Sequence, residues 1–159
     1  MHNKDIFDIS VWQKDELISQ LVSFASTDTL LFLPQDETVM SAVQTLNSDL
    51  NTMYVLSHGI EVLPQNVQQG IKVKQYLKKL PCADVAFIYL VGKELRSVLL
   101  AILLANKSLN LKQVFDLAFY EELCQQKNWG KTEEIVKRQQ NIWEKLIGLC
   151  EQYDKRSVS

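Results

Sequence analysis

Glycine, proline, cysteine and histidine are all scarce in this chain of 159 residues, at 5, 3, 3 and 2. So little Gly and Pro excludes collagen-like and low-complexity architectures. The three cysteines, Cys82, Cys124 and Cys150, are far apart, odd in number and free of C-x-x-C spacing. That argues against a disulfide framework or a zinc knuckle and fits a reducing compartment. Neither His2 nor His58 belongs to an H-x-x-x-H pair, no D-x-D-x-D-G run exists, and no Gly-rich phosphate loop is present. No metal or nucleotide motif can therefore be read, and no cofactor is implied. A charge excess is also missing, since 17 Lys plus Arg against 19 Asp plus Glu give a net −2. Such a chain lacks the electrostatic footprint expected for nucleic acid or anionic lipid. The longest apolar stretches, 85–91 and 98–105, are separated by Lys93, Glu94 and Arg96. Each falls well short of the roughly 18 residues needed to span a membrane. The start carries acidic residues and no long apolar run, unlike a signal or transit peptide. It reads as a protein of a bacterial-type cytoplasm, or as a mature fragment.

What is present is apolar residue, 47% of the chain, enough to bury a real core. Leu17, Ile18, Leu21, Val22 and Ala25 recur at helical spacing and predict an inward-facing helix over 11–25. Leu30-Leu31-Phe32-Leu33 before Pro34 has the form of a short buried strand. Asp36 or Thr38 can cap a second helix through Val39, Val43, Leu46, Leu50 and Met53, closed by Gly59. Ile60-Glu61-Val62-Leu63 before Pro64 is a second strand candidate, and the helix between the two allows a parallel β-α-β pair. A third helix is expected from Val67 to Pro81. The stretch 84–105 is apolar nearly all round and is expected to be one central helix. Asn110 with Gln113 has capping-box spacing and opens a helix through Lys127 that stops at Gly130. Thr132 can cap the last helix. The expected fold is mainly α, a single helical domain over 1–159 built around a central apolar helix, with two short strands.

Chemistry is harder to find. Ser57-His58-Gly59 has the letters of a catalytic fragment, but adjacent residues do not face each other productively and no G-x-S-x-G elbow accompanies them. A helix end with His near its C-terminus and Gly after it accounts for the same letters. Glu121 and Glu122 point about 100° apart on a helix and so do not form a dyad; a solvated face explains them. Gln125 shares their face, and Trp129 follows one turn later. A stripe of carboxylate, amide and indole suits partner recognition, because Trp supplies contact area and the acid supplies charge selection. Spacing alone nevertheless favours Trp129 as a core residue beside a wet edge, with a loss of roughly 3–5 kcal/mol on truncation.

The stretch Ser97 to Ala105, then Leu109-Asn110-Leu111-Lys112-Gln113-Val114, then Tyr120-Glu121-Glu122-Leu123-Cys124-Gln125-Gln126-Lys127-Asn128-Trp129-Gly130 resembles the C-terminal helical domain of the ATP synthase alpha-subunit assembly chaperone family. The E-E-x-x-Q-x-x-x-W-G run is its most specific piece. Thr27-Asp28-Thr29 and Gly59-Ile60-Glu61-Val62 are similar to two further segments of that family, in the same order. The likeness runs from about Leu17 to Tyr153. A W-D-P type segment found in the family is absent here, with Leu46-Asn47-Ser48-Asp49-Leu50 in its region. Family members usually carry a β-rich domain ahead of this one, so either the sequence is truncated or it is a reduced homologue.

The resemblance implies an ATP-independent chaperone, not an enzyme. It would hold the unassembled alpha subunit of the F-type ATP synthase, shield its interface and yield it to the beta subunit. It implies a partner-binding site at Glu121, Glu122, Gln125, Trp129 and Gly130, with the key acid being either Glu121 or Glu122, and no catalytic or metal-binding residue. A bacterial cytoplasm, or a mitochondrial matrix after processing, would be its location. The residues leave two other readings open: a small helical enzyme pairing Glu121 or Glu122 with His58, and a degenerate scaffold domain.

Overall fold

The computed structural model describes residues 6–56, 67–130 and 132–156. Helix α1 (Val11–Ala25) begins where the sequence places it. Ser10 and Gln13 form a reciprocal capping box, the Ser10 hydroxyl accepting from the Gln13 N–H at 3.1 Å and the Gln13 amide oxygen from the Ser10 N–H at 2.9 Å. Ile18, Leu21 and Ala25 are its buried residues, as the spacing requires. Helix α2 (Glu37–Leu50) is capped by Asp36, whose carboxylate accepts from the Thr38 N–H at 2.7 Å. It ends at Asn51, which takes a left-handed conformation with φ 56°. Asparagine tolerates that region because its short polar side chain bonds locally, so the helix closes well before Gly59, which lies outside the described residues.

Among the described residues there is no strand. The run read as a first strand is instead a 3-10 helix, Thr29–Phe32. Its cause is Asp28, whose side chain accepts from the Leu30 N–H at 3.1 Å and turns the chain over immediately. Leu30 and Leu31 are fully buried all the same. A short apolar run cannot distinguish a strand from a tight helical turn by hydropathy alone. The second strand candidate, 60–63, lies outside the described residues.

Helix α3 (Val67–Lys78) packs on α1, and α4 (Cys82–Leu95) packs on both α1 and α5 (Val98–Ala105). The expected single helix over 84–105 is thus two. Arg96 caps α4 in a left-handed conformation at φ 57°, and the Ser97 hydroxyl starts α5 by accepting from the Leu100 N–H at 3.1 Å. All-round apolarity follows because α5 fills the centre: Leu99, Leu100, Ile102 and Leu103 have no exposed surface. Each such side chain contributes at most about 1.5–3 kcal/mol of transfer free energy. Helix α6 (Leu111–Ala118) carries the expected Asn110/Gln113 capping box, but the helix foreseen through Lys127 breaks at Phe119, and α7 (Tyr120–Trp129) follows. Helix α8 (Glu133–Arg156), entered through a Thr132 side-chain cap, lies across α4 and α6.

Candidate functional site

Helix α7 is lightly held, for its only buried residue is Gln126. The sequence pattern favoured Trp129 as a core residue beside a wet edge; Trp129 is 86% exposed, and Gln125, on the face of the two acids, is exposed as well. The expectation of a core Trp129 is therefore corrected. The indole that packs is Trp143 of α8, half-buried with its ring 5.0 Å from Phe115. Helix α7 is too polar to turn an apolar stripe inward, so its Trp is left on the outside. Gly130 then ends the helix at φ 89°, a conformation L side chains avoid.

Glu121, Glu122 and Gln125 form one wall of a cleft of about 560 Å³. Arg138 and Ile142 of α8 face them, Phe32 and Leu33 contribute from the 3-10 segment, and Glu94 and Arg96 come from the end of α4. The two acids differ. Glu122 is bound by the Arg138 guanidinium at 2.5 Å, its side chain 21% exposed, whereas Glu121 is exposed and has no ion pair among the described residues. Glu94 meets Lys145 at 3.9 Å. The Tyr120 hydroxyl donates to Asp36 at 3.0 Å, fixing the start of α7 to the cap of α2. That bond pushes the Tyr120 phenol up from its ordinary value. Asp36 is held below the usual carboxylate range, chiefly by the Thr38 N–H and then by Tyr120.

The structure thus brings Glu121, Glu122 and Gln125 together on one cleft wall, and puts Trp129 and Gly130 at the exposed end of the same helix, beyond that wall. Arg138 escaped the sequence reading, although a signal existed: Glu122 and Arg138 stand eight residues either side of Gly130, as two helices folding back on a turn would pair them. Arg96 and Glu94 come from a distant helix end that no local pattern connects to α7. His58, the base needed by the enzyme reading, lies outside the described residues. Among those residues no three His, Cys, Asp or Glu side chains converge on a metal-sized site, and no helix is long and apolar enough to cross a membrane. All three cysteines are free thiols.

No family profile and no curated protein matches the chain by sequence. Solved structures do match it. Atp12 from Paracoccus denitrificans superposes with a TM-score of 0.82 at 16% identity, over 94% of this chain and 68% of that one. A single-residue variant of the same protein gives 0.76 over the same shares. The Atu1473 protein from Agrobacterium tumefaciens, a candidate chaperone, gives 0.77 at 19% identity, over 93% of this chain and 59% of that one. The shared fold is the helical one that the family resemblance implies. Nearly the whole chain has the helical fold found in Atp12 from Paracoccus denitrificans, and it leaves about a third of that protein unmatched.

Proposed function

We propose that this protein is an assembly chaperone that binds the unassembled alpha subunit of the F-type ATP synthase and supports its assembly with the beta subunit. The observation that carries this reading is the fold likeness to Atp12, at a TM-score of 0.82 over 94% of the chain. The α7 surface supports it. A holding chaperone needs an accessible face of mixed polarity, and α7 offers an exposed indole, an exposed carboxylate and an amide along one helix. Glu121, Glu122, Gln125, Trp129 and Gly130 are the proposed contact residues. Of the two acids, Glu121 is open to a client cation, while Glu122 already holds Arg138.

Co-expression with the alpha subunit from the same source tests the proposal. The expected result is a one-to-one complex that keeps alpha soluble and dissociates when the beta subunit is added. Glu121→Ala and Trp129→Ala are expected to weaken that complex about tenfold or more, the loss of a hot-spot contact, with helical content unchanged. A double variant that binds like the wild type removes this surface from the site. Failure of the folded wild type to retain alpha overturns the client assignment.

A further inference from the structure

A second cleft opens on the other side of Arg96, between α1 and the end of α4, with a volume of about 520 Å³. Leu21 and Phe24 stand on the α1 side, Tyr89 and Gly92 on the α4 side. Leu21 is buried, but Phe24 is 64% exposed, a large aromatic left without cover. Two cations, Lys93 and Arg96, complete the lining; both are exposed and neither has an ion pair among the described residues. The Lys93 ammonium stands 5.4 Å from the Tyr89 ring centroid, which keeps its charge over the aromatic wall. Asp28, the one carboxylate among the described residues that borders the cleft, does not answer them. It is buried, and its oxygens are taken by the Ser97 hydroxyl at 2.5 Å and by the N–H groups of Leu99 and Leu30 at 3.0 and 3.1 Å. Glu94, next in sequence to Lys93, lines the α7 cleft instead and pairs with Lys145.

Arg96 adds a second observation. It holds a C-cap position at φ 57°, ψ 33°, where glycine fits without strain. A left-handed arginine costs roughly 1 kcal/mol, so the local backbone gains nothing from this side chain. Arg96 and Thr29 line both clefts, so the two lie side by side on either side of these residues. An open cleft with an uncovered aromatic and two cations unpaired among the described residues matches an acidic and apolar stretch of polypeptide better than a small acid that would need enclosure.

We propose that the α1/α4 cleft docks an acidic-apolar segment of a partner protein, an aliphatic or aromatic side chain entering beside Phe24 and Tyr89 while a neighbouring Asp or Glu pairs with Lys93 and Arg96. This does not rest on the identity of the client. Fluorescence anisotropy at low salt, with the full chain and labelled peptides of alternating Leu and Glu, Leu and Gln, or Leu and Lys, tests it. The Glu peptide should bind about tenfold tighter than the Gln peptide, as expected for two charge-assisted contacts, and the Lys peptide should bind least. Lys93→Glu should abolish the preference. Arg96→Gly should weaken binding several-fold while the melting temperature holds or rises, since glycine relieves the left-handed residue. Lys74→Glu, the same change of charge at an exposed α3 position that lines neither cleft, should leave the preference for the Glu peptide intact. Equal binding of the Gln peptide, or an unaltered affinity in Lys93→Glu, overturns the proposal. So does displacement by sodium laurate at concentrations below those at which the unlabelled peptide competes, which would make the cleft a fatty-acid site.

Discussion

Trp129 and Asp28 show how differently two single side chains are used. With 86% of its surface exposed, Trp129 contributes little burial, and Trp129→Ala should shift folding stability by no more than about 0.5 kcal/mol. Trp143→Ala, which removes the ring packed on Phe115, should cost several times as much in the same urea titration. Equal losses would mean that Trp129 is packed in solution. Asp28 is the opposite case, buried and surrounded by donors. Burial pushes its carboxyl above the ordinary value, and hydrogen bonds from Ser97, Leu99, Leu30 and Val98 pull against that rise. Even a protonated carboxyl oxygen can accept, whereas an amide nitrogen cannot. Asp28→Asn therefore strands at least one buried N–H or O–H and should cost about 1–3 kcal/mol, with Asp28→Ala costing more. An unchanged denaturation midpoint in Asp28→Asn would show that the carboxylate is not the shared acceptor.

Between α4 and α5 the chain bends because three groups agree on one spot: Arg96 ends one helix, Ser97 caps the next, and Asp28 holds the Ser97 hydroxyl and the Leu99 N–H from across the fold. Only the middle group was written locally, as a Ser before an apolar run. Apolarity all round reports burial but not continuity, which is why a single helix was expected over 84–105. The capping box at Asn110 was legible because both partners lie within one turn, and the one at Ser10 carries the same local signal although it was not read. By contrast, the break at Phe119 has no side-chain cap and no Gly or Pro to announce it. Element interiors are easier to predict than their joints. In α8, Gly148 stands mid-helix, and a methyl group placed there would meet nothing within 4 Å. Gly148→Ala should stabilise the protein by roughly 0.5–1 kcal/mol through helix propensity. A lower melting temperature in that variant would reveal a close neighbour at the α8 surface.

Across the whole molecule, the fold is similar to that of Atp12 from Paracoccus denitrificans at 16% identity, and in this chain what specifies it is the placement of apolar faces around α5. That pattern was readable, while the cleft built by α4, α6, α7 and α8 was not, since its charges meet only after folding. The compactness of this core also sets a response to alkali. Tyr54 is 3% exposed, and its hydroxyl has no hydrogen-bond partner among the described residues. Burial, aided by the charge of Asp28, pushes its phenol up to about 12 from 10.0. Tyr153 is raised as well, first by burial and then by the hydrogen bond it donates to Asp84. A raised tyrosine keeps its proton in the folded state after the unfolded chain has lost it. The stability linked to it is complete below pH 10 and is lost as pH climbs through the folded value. Each such group forfeits at most about 1.4 kcal/mol per pH unit within that window. Stability measured by urea unfolding should therefore decline from pH 10 upward. Tyr54→Phe removes both the titrating group and an unsatisfied buried hydroxyl, so it should raise stability near neutrality by about 1 kcal/mol and flatten the alkaline decline. A variant no more stable than the wild type and equally sensitive to alkali would mean that the Tyr54 hydroxyl is hydrated in solution.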